Sequence, residues 1–315
     1  MIEVTDLTVR YGPTGGGVRA LERINIRIEK GSIFGIVGES GSGKSTLAMT
    51  LMRLLPKSGA VEEGEIKLDG TDILKLPDRE FRKMRGSTLS LVFQGAMNTL
   101  NPLIRIEDQV AEPLILHGEQ NRGKAIEKAH ETLQLVGLDS STWRKYPHEL
   151  SGGMKQRTVI ASAIITGPKV LIADEPSTAL DVITQVQIMN LLRTLQRTLK
   201  MTVIFISHDF PLVSEMSDRI AIMYGGKLCE TGPNDQILNK PLHPYTAGLI
   251  DSVPAVGRKK RISAIQGDPV DMRNPPSGCR FRPRCTKATD SCISFDYTVT
   301  HAEKEHDVYC TLYGS

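Results

Sequence analysis

Nine residues between an apolar run and a helix-suited segment constrain this chain more than any other part of it. They read Gly38-Glu39-Ser40-Gly41-Ser42-Gly43-Lys44-Ser45-Thr46 and fit the phosphate-binding pattern G-x-x-x-x-G-K-[ST]. Before them, Ile33-Phe34-Gly35-Ile36-Val37 is short, mostly apolar and partly β-branched, as a buried parallel strand is. After them, Leu47-Ala48-Met49-Thr50-Leu51-Met52 suits a helix. Strand, glycine turn and helix form a context in which backbone N–H groups face a phosphate and the helix N-terminus adds partial positive charge. In that reading Lys44 reaches the β and γ phosphates and Ser45 holds Mg²⁺. A chance Gly/Ser loop with a solvated lysine is the bland alternative, and the agreement of pattern with context argues against it. The loop therefore predicts an α/β chain with a site for a nucleoside triphosphate.

Three more strand ends carry groups suited to the same chemistry. Val170-Leu171-Ile172-Ala173-Asp174-Glu175 is an apolar strand closing on two carboxylates. Asp174 suits Mg²⁺, and Glu175 suits a general base that polarises an attacking water; a solvated acidic strand end is the alternative. Met201-Thr202-Val203-Ile204-Phe205-Ile206 delivers Ser207-His208-Asp209 to another strand end. A lone histidine is usually structural, but beyond the Asp-Glu pair His208 is read as a γ-phosphate contact. Gln94 follows Ser90-Leu91-Val92-Phe93 and suits Mg²⁺ or the attacking water, with a plain loop glutamine as the alternative. Finally, Leu150-Ser151-Gly152-Gly153-Met154 opens a helical stretch, another N-terminus ready for an anion. Alone, Ser151-Gly152-Gly153 is a simple cap; its place between Gln94 and the Asp174-Glu175 pair makes it diagnostic.

Composition excludes several classes. The 315 residues suffice for a large domain plus an appendage. With 39 basic against 36 acidic residues and a single tryptophan, Trp143, neither charge nor base stacking points to nucleic acid. No apolar run approaches the ~18 residues of a membrane span. The start, Met1-Ile2-Glu3-Val4-Thr5-Asp6, is unlike a signal peptide, so a cytosolic chain is expected.

Together these residues resemble the ATP-binding subunits of ABC transporters over nearly the whole chain. The resemblance makes 38–46 the Walker A loop, 170–175 the Walker B strand with its catalytic glutamate, Gln94 the Q-loop, 150–154 the signature and His208 the switch histidine. Ser177-Thr178-Ala179-Leu180-Asp181 resembles the D-loop, and Tyr11 the aromatic that stacks on adenine. Met154 stands where glutamine is commoner. Further blocks narrow the resemblance to the dipeptide/oligopeptide importer group: Met97-Asn98-Thr99-Leu100-Asn101-Pro102, Asp108-Gln109-Val110-Ala111-Glu112-Pro113, His243-Pro244-Tyr245-Thr246, Asp251-Ser252-Val253-Pro254 and Pro275-Pro276-Ser277-Gly278-Cys279-Arg280-Phe281-Arg282-Pro283-Arg284-Cys285. Gly95-Ala96 departs from the Asp-Pro common after the Q-loop glutamine.

The implied architecture is a P-loop α/β core with an amino-terminal antiparallel β subdomain, a helical subdomain at about 95–165, and an irregular tail. Strands are expected at 2–9, 22–29, 65–69, 89–93, 170–173, 202–206 and 219–223. The expected division is 1–240 for the nucleotide-binding domain and 241–315 for the tail. The resemblance implies ATP clamped between Walker A of one subunit and Ser151, Gly152 and Gly153 of another. It also implies two membrane permeases, a second ATPase chain (a heterodimer, or else a homodimer), an extracytoplasmic receptor, and a place on the cytoplasmic face of the membrane. Peptide is the expected cargo, with an oligosaccharide or nickel complex as alternative; a soluble ABC ATPase outside transport would carry insertions absent here.

Prolines cluster beyond residue 240, so the tail is expected to wrap without adding sheet. Cys279, Cys285, Cys292 and Cys310 suit a tetrahedral zinc or a [4Fe–4S] cluster, and unmetallated thiols stay open. Their gaps lack the tight C-x₂-C of zinc knuckles, and some members of the importer group carry a four-cysteine iron–sulfur site here. Such a site is expected far from the nucleotide, as a staple of the tail. Cys229 reads as a small buried hydrophobe, and Arg258-Lys259-Lys260-Arg261 as a solvated linker or a contact to anionic lipid.

Overall fold

The computed structural model describes residues 1–13, 16–253, 265–303 and 305–313, so Pro254 and the basic run 258–261 lie outside the described residues. The chain opens with β1 (Ile2–Tyr11), β2 (Val18–Ile28), β3 (Ile33–Val37), α1 (Lys44–Leu51), β4 (Gly59–Leu68) and β5 (Thr71–Asp72). It continues through α2 (Asp78–Met84), β6 (Leu89–Val92), α3 (Ile106–Leu116), α4 (Arg122–Leu135), α5 (Gly152–Ile164), β7 (Val170–Asp174) and α6 (Val182–Leu199). It closes with β8 (Thr202–Ser207), α7 (Phe210–Met216), β9 (Arg219–Tyr224), β10 (Lys227–Pro233), α8 (Asn234–Asn239), α9 (Pro244–Asp251), β11 (Thr300–Glu303) and β12 (His306–Val308). All eight expected strands occur, the one before the glycine loop included; β5, β10, β11 and β12 were not foreseen. Two compact units result, one of residues Met1–Glu29, Ile33–Leu74 and Phe205–Ser315, the other of Lys30–Ser32 and Lys75–Ile204.

In the first unit β1 lies between β2 and β4 in an antiparallel sheet that β5 completes. Alternation drives it: Ile2, Val4, Leu7 and Val9 of β1 are buried with Leu21, Ile24, Ile26 and Ile28 of β2. The alternation slips by one between Val4 and Leu7, where Asp6 takes φ 45° and the register with β2 shifts, as a bulge allows. A second set of strands carries the glycine loop. Here β3 is parallel to β9, from Phe34 opposite Arg219 to Val37 opposite Ile222, and all five β3 residues are buried.

The expectation that the tail adds no sheet is corrected. β10 is antiparallel to β9 and pairs on its other edge with β12, which pairs with β11. The buried Glu230 of β10 explains this. Its carboxylate accepts the backbone N–H groups of Leu242 and His243, each at 2.9 Å, and meets His306 Nε2 at 2.7 Å. Burial pushes His243 down to about 4, so its neutral ring accepts the Tyr245 N–H at 3.0 Å and caps α9.

In the second unit β6 is parallel to β7, from Leu89 opposite Val170 to Val92 opposite Ala173. Helices α3, α4 and α5 pack together through Ile106, Val110 and Ala111, through Ala125, Ala129 and Leu133, and through Ile160 and Ile164, all buried. These are the helices expected between Gln94 and the Asp-Glu pair. Among the described residues no helix is long and apolar enough to cross a membrane.

Candidate nucleotide-binding site

Loop 38–46 leaves β3 and enters α1. Gly43 occupies the N-cap of α1 at φ 100°, a region L side chains avoid, and a Cβ there would stand 2.6 Å from the Ala20 carbonyl oxygen. Only glycine permits this turn, which exposes the first N–H groups of α1. Ser40 and Gly41 are exposed at the outside of the loop, whereas Gly38 and Ser42 are buried. Lys44 is 5% exposed and donates from Nζ to the carbonyls of Gly38 at 2.7 Å and Glu39 at 2.9 Å. Ser45 is half-buried on the first turn of α1. Thr46 is buried, with Oγ1 3.5 Å from the hydroxyl of Tyr11 at the end of β1. A glycine turn at a helix N-terminus with a buried ammonium beside it fits a polyphosphate. His208 follows β8 in the same unit and is exposed; Asp209 beside it caps α7 by accepting the Leu212 N–H at 3.2 Å.

In the second unit the parallel pairing of β6 and β7 brings two strand ends together. Gln94 Nε2 donates to Glu175 Oε2 at 2.9 Å, and Thr178 Oγ1 donates to the same oxygen at 3.0 Å. Asp174 is buried as the last residue of β7. Glu175 takes φ 47°, the left-handed region, which costs a non-glycine residue on the order of 1 kcal/mol or more. Strain at a carboxylate whose orientation two neutral donors fix is characteristic of functional sites. Donor chemistry here suits a hard cation and a water.

Ser151 caps α5, its Oγ accepting the Met154 N–H at 3.3 Å. A Cβ on Gly153 would lie 2.7 Å from the methyl of Thr184, and one on Gly152 would lie 3.2 Å from Leu180. The two glycines thus let α5 approach the 177–181 segment. Asp181 caps α6, accepting the Thr184 N–H at 2.9 Å and its hydroxyl at 2.7 Å, which holds the carboxyl below its usual range. Ser151→Ala removes the α5 cap and should lower the unfolding free energy by about 1 kcal/mol in a urea titration. An unchanged midpoint would show the cap to be redundant.

The tail also reaches the loop, an attachment the sequence reading did not foresee. Arg284, beside Cys285, donates to both Glu39 carboxylate oxygens at 2.9 and 2.7 Å. Tyr245 reaches the same residue, its hydroxyl accepting the Glu39 N–H at 3.0 Å. Sequence reasoning missed these residues because Glu39 is a free position of the loop pattern. The available signal was the flanking of both Cys279 and Cys285 by arginine.

Cys279, Cys285, Cys292 and Cys310 line one cavity with His243, Phe281 and Arg282. Among the described residues no three Cys, His, Asp or Glu side chains gather closely enough to hold a single metal ion. Four thiols around a common cavity are the donor chemistry that an iron–sulfur cluster or a zinc ion takes. Cys229 on β10 is buried, and burial pushes its thiol well up, in keeping with a packing role.

A phosphate loop between a parallel strand and a helix, a β subdomain and a helical subdomain define an ATP-binding-cassette ATPase. The ABC transporter family model matches residues 21–178, and the model described as "Oligopeptide/dipeptide transporter, C-terminal region" matches 229–292. The chain belongs to the ATP-binding subunits of the oligopeptide/dipeptide ABC transporters. It is 42% identical to the oligopeptide transport ATP-binding protein OppD of Bacillus subtilis (strain 168), over 91% of this chain and 82% of that one. It is 41% identical to the dipeptide transport ATP-binding protein DppD of Caldanaerobacter subterraneus subsp. tengcongensis, over 99% and 97%. The ATP-binding cassette MJ0796, solved as a post-hydrolysis dimer bound to ADP and Pi, matches with TM-score 0.66 and 30% identity, over 74% of this chain and 99% of that one.

Proposed function

We propose a division of labour among the residues described above. The chain is the ATPase subunit that powers oligopeptide or dipeptide import. Tyr11 stacks on adenine; Gly38, Ser40, Gly41, Ser42, Gly43, Lys44 and Thr46 cradle the phosphates. Ser45, Gln94 and Asp174 supply the oxygen donors for Mg²⁺, which neutralises phosphate charge. Glu175 takes the proton of the attacking water, oriented by Gln94 and Thr178, and His208 steadies the γ-phosphate. Ser151, Gly152 and Gly153 close over the nucleotide of a second ATPase subunit. The observation that carries this reading is the buried Lys44 ammonium at the centre of the loop.

Membrane permeases, a second ATPase chain and an extracytoplasmic receptor complete the machine, with this subunit peripheral on the cytoplasmic face. Isolating the complex from its native membrane tests this. Co-purifying permeases and a peptide-loaded receptor are expected; ribosomal or DNA partners would overturn the transport role.

The tail holds a [4Fe–4S] cluster through Cys279, Cys285, Cys292 and Cys310; their shared cavity supports this. The group would cross-link a loop-rich segment, and no step of hydrolysis passes through it. Anaerobically purified protein should carry about four irons per chain and lose them in Cys285→Ser. Stoichiometric zinc in place of iron would exclude the cluster.

A further inference from the structure

The segment from Cys279 to Cys285 makes two separate attachments to the loop that cradles phosphate. At the start of the loop, Arg284 forms a two-pronged ion pair with Glu39, and its side chain is 6% exposed. The Arg284 guanidinium also donates to the Tyr224 hydroxyl at 3.3 Å and to the Gln266 carbonyl at 3.0 Å. Glu39 is thereby held at three points: its carboxylate by Arg284, its N–H by Tyr245, and its carbonyl by Lys44. At the other end, Arg280 donates to the Gly225 carbonyl and pairs with Glu22. The next residue, Gly226, donates its N–H to the Ser42 carbonyl at 3.0 Å and accepts the Glu22 N–H at 2.9 Å. Between the arginines, Phe281 is buried edge-on against Tyr224, centroids 5.3 Å apart, and tilted against Tyr245 at 5.2 Å. The segment is a wedge with one arm on residue 39 and the other reaching residue 42 through the β9–β10 turn.

We propose that Arg280 and Arg284 are positioning residues of the nucleotide site, holding the phosphate loop in its binding conformation before ATP arrives. The proposal rests on the reading of 38–46 as the nucleotide cradle. A loop already ordered pays little conformational entropy on binding; with a grip removed, ordering is charged against affinity. The Glu39 carbonyl is one of the groups that fix Lys44, so loosening Glu39 also loosens the lysine that meets phosphate.

The test uses the full chain and its complex. Arg284→Gln and Glu39→Gln should each raise the dissociation constant for ATP about tenfold, the scale of one charge-assisted pair. The double variant should be no worse than either single one, because both remove the same contact. KM for ATP should rise while kcat at saturating ATP stays within about twofold. Tyr245→Phe, which keeps the aromatic packing, should raise KM in the same sense should Arg284→Gln fold poorly. A purely structural tail would instead reduce the folded fraction, lowering kcat with KM unchanged, and that result overturns the proposal, as does full additivity of the two substitutions. Lys44→Ala runs alongside. If it abolishes ATP binding while Arg284→Gln binds as the parent does, the grip is refuted and the cradle stands. Normal ATP binding by Lys44→Ala would remove the cradle, and the proposal with it.

Discussion

Lys44→Ala should cost at least about 100-fold in ATP affinity. The Nζ of this buried residue holds the carbonyls of Gly38 and Glu39. Its removal deletes the cation for the phosphates and leaves two carbonyls facing inward without that donor. In the proposed role Lys44 meets both the β and γ phosphates; hydrogen bonds to charged groups are each worth about 1.5–3 kcal/mol, so losing those two passes the roughly 2.7 kcal/mol of a 100-fold change. The folded state should survive, because β3 and α1 are held by apolar contacts elsewhere: Phe34, Ile36, Leu47 and Leu51 are all buried. Equilibrium titration with a fluorescent ATP analogue reads affinity, and a thermal melt reads folding. Affinity within a few-fold of the parent would show that the loop does not take phosphate.

Glu175→Gln separates binding from turnover. Glutamine is isosteric, and its side-chain carbonyl can still accept from Gln94 Nε2 and Thr178 Oγ1, which stand 2.9 and 3.0 Å from the native carboxylate. What disappears is the capacity to take a proton. ATP affinity should be retained while steady-state hydrolysis falls by about 10²–10⁴, the range for a positioned general base. A nucleotide that binds and is not cleaved keeps two subunits closed, so the variant should elute as a stable dimer in ATP on size-exclusion chromatography. Turnover near that of the parent would move the base away from Glu175.

The phosphate loop was legible because its requirements are local. Only glycine tolerates the φ of Gly43, and the buried strand before it is a continuous apolar run. The cap at Ser151 was legible for the same reason. β10 was hidden because Lys227, Glu230 and Thr231 do not read as a buried strand, yet all three are buried. The partners of Glu230 come from Leu242, His243 and His306, 12 to 76 positions away, and no local pattern contains that pairing. The tail strands β11 and β12 are equally short on apolar residues and exist because β10 offers β12 an edge and β12 offers β11 one. The role of Arg284 was hidden twice over: Glu39 occupies an unspecified position of its motif, and its partner lies 245 residues downstream.

That separation bears on how the chain is made. At translation rates of about 5–20 residues per second, Arg284 emerges roughly 12–50 s after Glu39. All of Lys75–Ile204 is synthesised in the interval, whereas the first unit still waits for Phe205–Ser315. The later-numbered unit can therefore fold first, and the nascent β1–β2 hairpin, with Leu7, Val9 and Leu21 still uncovered by their later partners, is the stretch that chaperones are expected to meet. A ribosome that stops before Arg284 releases a chain whose phosphate loop lacks the Glu39 grip, and on the proposal above such a product binds ATP more weakly than the finished chain.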